Sequence, residues 1–258
     1  MTYLEGILLG FIQALTEFLP ISSSGHLVIS QKLLGIESTD LMLEIILHLG
    51  TLFSIIIFFW NDLNDIITRA IFKKDSSSQL LIVNVIVATI PATIIGILYK
   101  DILTQVFDSL HYVSIAFMVT GIVLFLTRFS KYKINEISFI IALIIGFSQI
   151  LALLPGISRS GITIATALIL GVKSENAARF SFFMGIPVLA GAGLLQINEL
   201  ISINNYSFLQ MFLGFLSSLF FGLIAIKILF RIVYNNNFWI FSLYCWFISI
   251  VTFFIRDI

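Results

Sequence analysis

The sequence predicts an all-α polytopic membrane protein made of two inverted-topology repeats, each a re-entrant helical hairpin followed by three transmembrane helices. The first observation is solvent preference. Of the 258 residues, 59% are hydrophobic and 11% charged, against about 25% charged in a soluble domain, and the mean hydropathy is +1.08. The second is segment length: several apolar runs reach the ~20 residues that a helix needs to cross a ~30 Å hydrocarbon core. The third is an internal repeat. Gly10 to Gly25 can be laid over Gly146 to Gly161. Gly10/Gly146, Phe11/Phe147, Gln13/Gln149, Leu15/Leu151, Ile21/Ile157, Ser22/Ser158, Ser24/Ser160 and Gly25/Gly161 are then identical, eight of sixteen positions. One copy brings Glu17 and His26, the other Arg159, so the two halves carry complementary chemistry.

Residues 3–19 are apolar yet contain Glu5, Gln13 and Glu17, and they stop at Pro20. Residues 22–34 are a shorter apolar piece opened by Ser22, Ser23, Ser24 and Gly25. Neither reaches span length, so together they predict a hairpin that enters and leaves on one side, with Pro20 to Gly25 at its tip. Full spans are expected near 41–60, 80–99 and 111–129. The pattern restarts with an interrupted pair at 136–154 and 157–170, followed by spans near 178–199, 208–231 and 238–255. Three crossings per repeat start the second repeat on the opposite side, which inverts its topology about an axis in the membrane plane. Residues 1–258 are read as a single integral membrane domain, with repeat one at 1–135 and repeat two at 136–258. Non-helical backbone at membrane depth survives only inside protein or beside a wet cavity. The two tips are therefore expected to meet at a site. Met1 to Glu5 lacks the basic start of a cleavable signal, so the first apolar run is expected in the mature chain.

The charges fit this topology. Arg69, Lys73, Lys74, Arg128, Lys131, Lys133, Lys173, Arg179, Lys227 and Arg231 fall on the side opposite the N-terminus, and only Lys32, Lys100 and Arg256 on the N-terminal side. The positive-inside rule makes the larger set cytoplasmic, so both termini and the first hairpin face outward. A net charge of zero excludes a nucleic-acid surface as the main business of the chain. The single cysteine, Cys245, forms no internal disulfide and is read as a packing residue. No Walker loop, zinc spacing or GxGxxG turn is present.

Ionisable groups at membrane depth are functional by default, which singles out Glu17 and Arg159. Each sits beside a Ser/Gly-rich helix start: Ser22-Ser23-Ser24-Gly25 in one tip and Ser158-Arg159-Ser160-Gly161 in the other. Serine caps such a start, and its unpaired N–H groups and positive dipole end form an anion site. Two of them with one Arg fork suit a phosphate or diphosphate. Gln13, Ser22, Ser24 and Gly25, with Gln149, Ser158, Ser160 and Gly161, are the residues expected to bind it. His26 follows Ser23 by one helical turn, so its imidazole is expected to deprotonate the Ser23 hydroxyl or to act as nucleophile itself. Glu44 and His48, one turn apart on the next span, are read as structural hydrogen-bonding groups. His111 is read as solvated surface, and the many Phe side chains as lipid-facing and packing residues.

Two long motifs carry a family resemblance. Gln13 and Glu17 followed by Pro20-Ile-Ser-Ser-Ser-Gly-His26, and Pro155-Gly-x-Ser-Arg-Ser-Gly161, make the chain resemble a full-length member of the bacterial undecaprenyl-diphosphate phosphatase family (BacA/UppP type). The resemblance implies hydrolysis of the C55 polyprenyl diphosphate to the monophosphate carrier lipid and inorganic phosphate. That reaction recycles the carrier for peptidoglycan synthesis and links the family to bacitracin resistance. It further implies a multi-pass protein of the bacterial inner (plasma) membrane, its active site opening to the outer, periplasmic side. Carried over by motif, Glu17, Ser23, His26 and Arg159 form the catalytic set, and Ser23, His26 and a water all stand as nucleophile. The family implies a divalent cation, Mg²⁺ or Ca²⁺, with Glu17 as its ligand; Gln13 here supplies one anionic ligand fewer than a carboxylate would. The expected partners are the lipid substrate and the bilayer, with no nucleic acid, and a homodimer is compatible with this reading. A lipid flippase or transporter built on the same inverted repeat is the alternative.

Overall fold

The computed structural model describes residues 2–34, 41–99, 109–131, 133–195 and 207–255. Among the described residues the chain is helical, its one β-bridge joining Ile134 to Val172. The first hairpin consists of α1 (Tyr3–Phe18) and α2 (Ser23–Leu34). Thr2 and Glu5 start α1 as a reciprocal capping box, at 3.2 and 2.8 Å, which accounts for Glu5 in an apolar arm. Helix α1 stops because Leu19 precedes Pro20 and is pushed to extended backbone (ψ 144°). At 1.5 Å per residue the two arms are about 24 and 18 Å long, short of a ~30 Å core.

Then come α3 (Leu41–Phe58), α4 (Trp60–Ile71), α5 (Ser76–Leu98) and α6 (Leu110–Leu126). Asp75 caps α5, accepting from the Ser78 N–H at 3.0 Å and from the Ser77 and Ser78 hydroxyls. These donors hold its carboxyl down at about 2. The second interrupted pair is α7 (Phe139–Gln149), which tightens to a 3-10 turn over Ile150–Leu153, and α8 (Arg159–Ile169). Helices α9 (Ser174–Leu195), α10 (Phe208–Tyr234) and α11 (Phe241–Ile255) complete the chain. Five of the described helices are long and apolar enough to cross a membrane, and six if the bent α3–α4 pair counts as one. Their outward faces carry exposed Ile86, Ile90, Ile94, Phe212, Phe220 and Phe247. Helices that stay apolar on their exposed side mark this as an integral membrane protein.

One expectation is corrected. The charged stretch after the first span, read as a loop, is helix α4, bent 68° from α3 at Phe59. Leu63, Ile66 and Ala70, spaced at helical period, turn inward, while Asn61, Asp65 and Arg69 are exposed. An amphipathic period of this kind sustains a helix that a reading by charge alone takes for a loop.

Four turns meet at one end of the bundle. Gln79 donates to the Ala70 carbonyl, the Lys133 N–H to Gly171, Asn176 to the Asn135 carbonyl, Ser174 to Asn236, and Arg179 reaches Asp62 at 3.4 Å. This end holds the ten cations set apart by the charge count. Of the three that the charge count expects on the N-terminal side, Lys100 and Arg256 lie outside the described residues.

Two close helix crossings brace the interrupted pairs. Helix α1 packs on α10 and α7 packs on α5. A Cβ on Gly10 would sit 2.9 Å from the Ser217 Cβ, and one on Gly146 would sit 2.6 Å from the Ala88 carbonyl oxygen. In an open helix Gly146→Ala would stabilise by about 1 kcal/mol. Here the added methyl meets backbone, and overpacking costs about 1–3 kcal/mol. Gly146→Ala is thus expected to lower the midpoint of thermal unfolding in detergent, whereas Gly191→Ala, with open space around it, is expected to leave it unchanged or raise it.

Candidate active site

The two tips interlock through their own backbone. Ser22 holds a left-handed conformation (φ 68°), a strained choice for serine. This turns its hydroxyl to accept from the Gly25 N–H at 3.3 Å within its own tip and from the Gly156 N–H at 3.1 Å in the other. Gly156 is also left-handed (φ 94°), and a Cβ there would lie 2.6 Å from the Val113 carbonyl oxygen. Thr120 of α6 closes the second tip, donating to the Gly156 carbonyl at 3.0 Å and accepting from the Ser158 N–H at 3.3 Å. Ser158 caps α8 by accepting from the Gly161 N–H at 3.1 Å, as Ser22 does for α2. The spacings Ser22···Ser24 and Ser158···Ser160 match as well, at 3.2 and 3.3 Å. Both helix starts expected from the duplicated motif are present.

Glu17, buried at the end of α1, is the hub. Its Oε1 accepts from Arg159 Nη2 at 2.6 Å; its Oε2 accepts from Ser23 Oγ at 2.6 Å and from Gln13 Nε2 at 3.3 Å. The Ser160 hydroxyl donates to the Glu17 backbone carbonyl at 3.3 Å, covering one of the open carbonyls at the end of α1. Arg159 Nη1 also donates to the Ser181 carbonyl at 3.4 Å, and Gly185 leaves room for the guanidinium. Thr163 and Ser181 share a 2.7 Å bond behind it. His48 donates from Nδ1 to the Glu44 carbonyl at 2.8 Å and turns Nε2 to within 3.8 Å of Glu17 Oε2. The His48 side chain is 30% exposed and Glu17 only 7%, so His48 stands between the hub and solvent-accessible space.

The structure brings Glu17, Ser23, Gln13, Ser160 and Arg159 into one network and joins it to Ser22, Ser24, Gly25, Ser158 and Gly161. It does not form the expected Ser23–His26 pair. Ser23 is taken by the nearby carboxylate. His26 Nδ1 is held by the Ser22 carbonyl and Nε2 by the Tyr244 hydroxyl, each at 2.7 Å. Gln149, the repeat partner of Gln13, is buried with neither amide atom paired, and it bonds to neither tip. Tyr244, Thr120, Ser181 and Gly185 escaped the sequence reading. A tyrosine within the apolar run of the last span was the one local signal among them.

Beneath the hub lies an aromatic cluster. Phe18 meets Phe182 at 5.6 Å; Phe182 meets Phe59 and Phe230, both at 5.7 Å. The cluster runs from the neighbour of Glu17 to the neighbour of Arg231.

The sequence is similar to those of known proteins. A family model described as "Bacitracin resistance protein BacA" matches residues 6–251. The chain belongs to the BacA family. Relatives named undecaprenyl-diphosphatase are similar along their whole length. That of Halothermothrix orenii is 40% identical over 256 residues, covering 97% of each chain. That of Thermosipho africanus is 42% identical over 251 residues, covering 96% of this chain and 98% of the relative. That of Methanosphaera stadtmanae is 42% identical over 267 residues, covering 96% of each. In this BacA-family chain the Glu17–Arg159 pair is the ionic contact between two tips remote in sequence. Removing one partner of a buried pair strands the other, at about 3–5 kcal/mol. Glu17→Ala and Arg159→Ala are each expected to lower thermal stability in detergent. The double variant should lose clearly less than the two single losses combined, and additive losses would show that the pair is not coupled.

Proposed function

We propose that this chain hydrolyses undecaprenyl diphosphate to undecaprenyl phosphate and inorganic phosphate, recycling the carrier lipid for cell-wall synthesis, with bacitracin resistance as a consequence. The observation that carries the proposal is a serine hydroxyl 2.6 Å from a buried carboxylate whose other oxygen holds an arginine, within a chain of the BacA family. Serine beside a base is a nucleophile, and arginine is a fork for phosphate.

The Ser23 oxygen attacks the terminal phosphorus and its proton passes to Glu17. The phosphorus–oxygen bond to the lipid monophosphate breaks, and undecaprenyl phosphate leaves. Water then cleaves the phosphoserine, Ser23 recovers its proton from Glu17, and phosphate departs. Arg159 has five N–H donors, of which Glu17 and Ser181 engage two, leaving donors for phosphate oxygens. These and the capped starts of α2 and α8 stabilise charge on the transferring group in a water-poor site. His26 is committed to Ser22 and Tyr244, which favours Ser23 as nucleophile and leaves His26 to meet a headgroup oxygen or water through Nε2 where that replaces the Tyr244 hydroxyl.

A divalent cation fits one further feature. Gln13 Oε1 is buried and unpaired beside the Glu17 carboxylate, and both are hard oxygen donors of the kind Mg²⁺ and Ca²⁺ prefer. Gln13 and Glu17 would hold the ion, with phosphate and water oxygens completing its shell. When bound it would neutralise charge on the diphosphate.

The inverted repeat belongs to the same proposal. Helices α1 and α7, equivalent in the two repeats, pack respectively on α10 and α5, also equivalent, through the equivalent glycines Gly10 and Gly146. An exchange of this kind is what a two-fold axis in the membrane plane produces. The cation-rich end would face the cytoplasm, with both hairpins re-entrant and the headgroup entering from the outer side of the bacterial plasma membrane.

Purified protein in detergent is expected to release phosphate from undecaprenyl diphosphate, whereas a transporter or flippase would release none. An ammonium cannot reproduce the planar two-point contact. Arg159→Lys is therefore expected to lower kcat by at least about 10²-fold; near-normal turnover would make Arg159 a structural charge. For sidedness, cysteines at Lys73 and Lys131 in a Cys245→Ser background should resist an impermeant thiol reagent added to spheroplasts, and one at Lys32 should react. Labelling at position 73 from outside would reverse the orientation.

A further inference from the structure

The last helix reaches the first tip at two consecutive residues. Cys245 Sγ lies 3.6 Å from the Pro20 carbonyl, and the Tyr244 hydroxyl lies 2.7 Å from His26 Nε2. The tyrosine ring also stacks on the imidazole, with centroids 5.6 Å apart and planes 13° from parallel, while Phe117 presses edge-on from the other helix at 5.2 Å. The protons on His26 follow from its partners. Nδ1 faces the Ser22 carbonyl, which can only accept, so Nδ1 carries hydrogen. In the neutral ring Nε2 is then the bare nitrogen, and the Tyr244 hydroxyl donates to it.

We infer that Tyr244 is a positioning residue for the phosphatase reaction, holding His26 in its Nδ1–H form with Nε2 directed at the Tyr244 hydroxyl and away from Ser23. The inference rests on the hydrolase reading for its kinetic consequence, but the Tyr244–His26 bond is testable without turnover. His26 is 9% exposed and Tyr244 39%, so the hydroxyl covers the one lone pair of the ring, and a headgroup oxygen or water that uses Nε2 must replace it. Stacking alone would be served equally well by phenylalanine. The hydrogen bond is what tyrosine adds.

Tyr244→Phe keeps the ring and removes only that bond. In wild-type protein, diethyl pyrocarbonate, which acylates bare imidazole nitrogen, should modify His26 slowly. In Tyr244→Phe the rate at His26, followed by peptide mass spectrometry, is expected to rise by roughly tenfold, the order of one hydrogen bond. His48 and His111 serve as internal standards whose rates should not change. On undecaprenyl diphosphate the variant is expected to lose about tenfold in kcat with KM within about twofold. An unchanged His26 modification rate would overturn the hydrogen bond. A faster rate with wild-type kcat would overturn the positioning role. If wild-type protein itself released no phosphate, the hydrolase reading would fall while the modification result still decided the bond.

Discussion

Everything at the centre of this protein depends on one carboxylate kept charged inside an apolar chain. A charge moved out of water pays a penalty of several kcal/mol unless it is paired and hydrogen-bonded. Glu17 is given a guanidinium by the partly buried Arg159, and a hydroxyl and an amide by Ser23 and Gln13, which are buried with it. Arg159 is satisfied in turn by Glu17 and by the Ser181 carbonyl. The pair can exist only where two tips far apart in sequence are in contact, so it fixes how the halves dock and also concentrates the reactive groups. In a low-dielectric site the same pairing makes a charged substrate group a strong competitor for the arginine.

The tips themselves are breaks in helices, and breaks at this depth leave backbone groups without water. Here the repair is reciprocal. Ser22 accepts from the opposite tip as well as from its own helix start, Thr120 bonds both sides of Gly156–Ser158, and Ser160 covers the end of α1. Ser22 and Gly156 both adopt left-handed backbone at this contact. For glycine this costs nothing, but the strain at Ser22 persists only where the surroundings over-determine it, and here the surroundings are the other tip. The site is therefore a product of docking, and neither tip alone would hold it.

Many phenylalanines are exposed on the outward faces, as the sequence suggests, but four of them are grouped below the hub. Phe18, Phe59, Phe182 and Phe230 form a continuous apolar floor between Glu17 and the basic turns. A floor without polar groups disfavours water and ions on that side.

Much of this was legible in the chain. Composition and run length determined a helical membrane protein, because a bilayer sets both. The duplicated Gln/Ser/Gly motif determined two broken helices with serine caps, since capping needs only neighbours three residues away. Broken backbone at membrane depth, which survives only inside protein or beside a wet cavity, led to the expectation that the tips meet. What the sequence could not decide was the direction of side chains on a shared helix face. Ser23 and His26 are one turn apart, and spacing allows them to pair. The tertiary structure instead gives Ser23 to Glu17, and gives His26 to Tyr244, which lies 218 residues further on. The same holds for His48, whose spacing predicts only its bond back to Glu44. Its other nitrogen faces Glu17 because α1 and α3 pack together. Local pattern decides which residues are polar at depth. Which partner each takes is decided by packing between helices, and that information is not local to either residue.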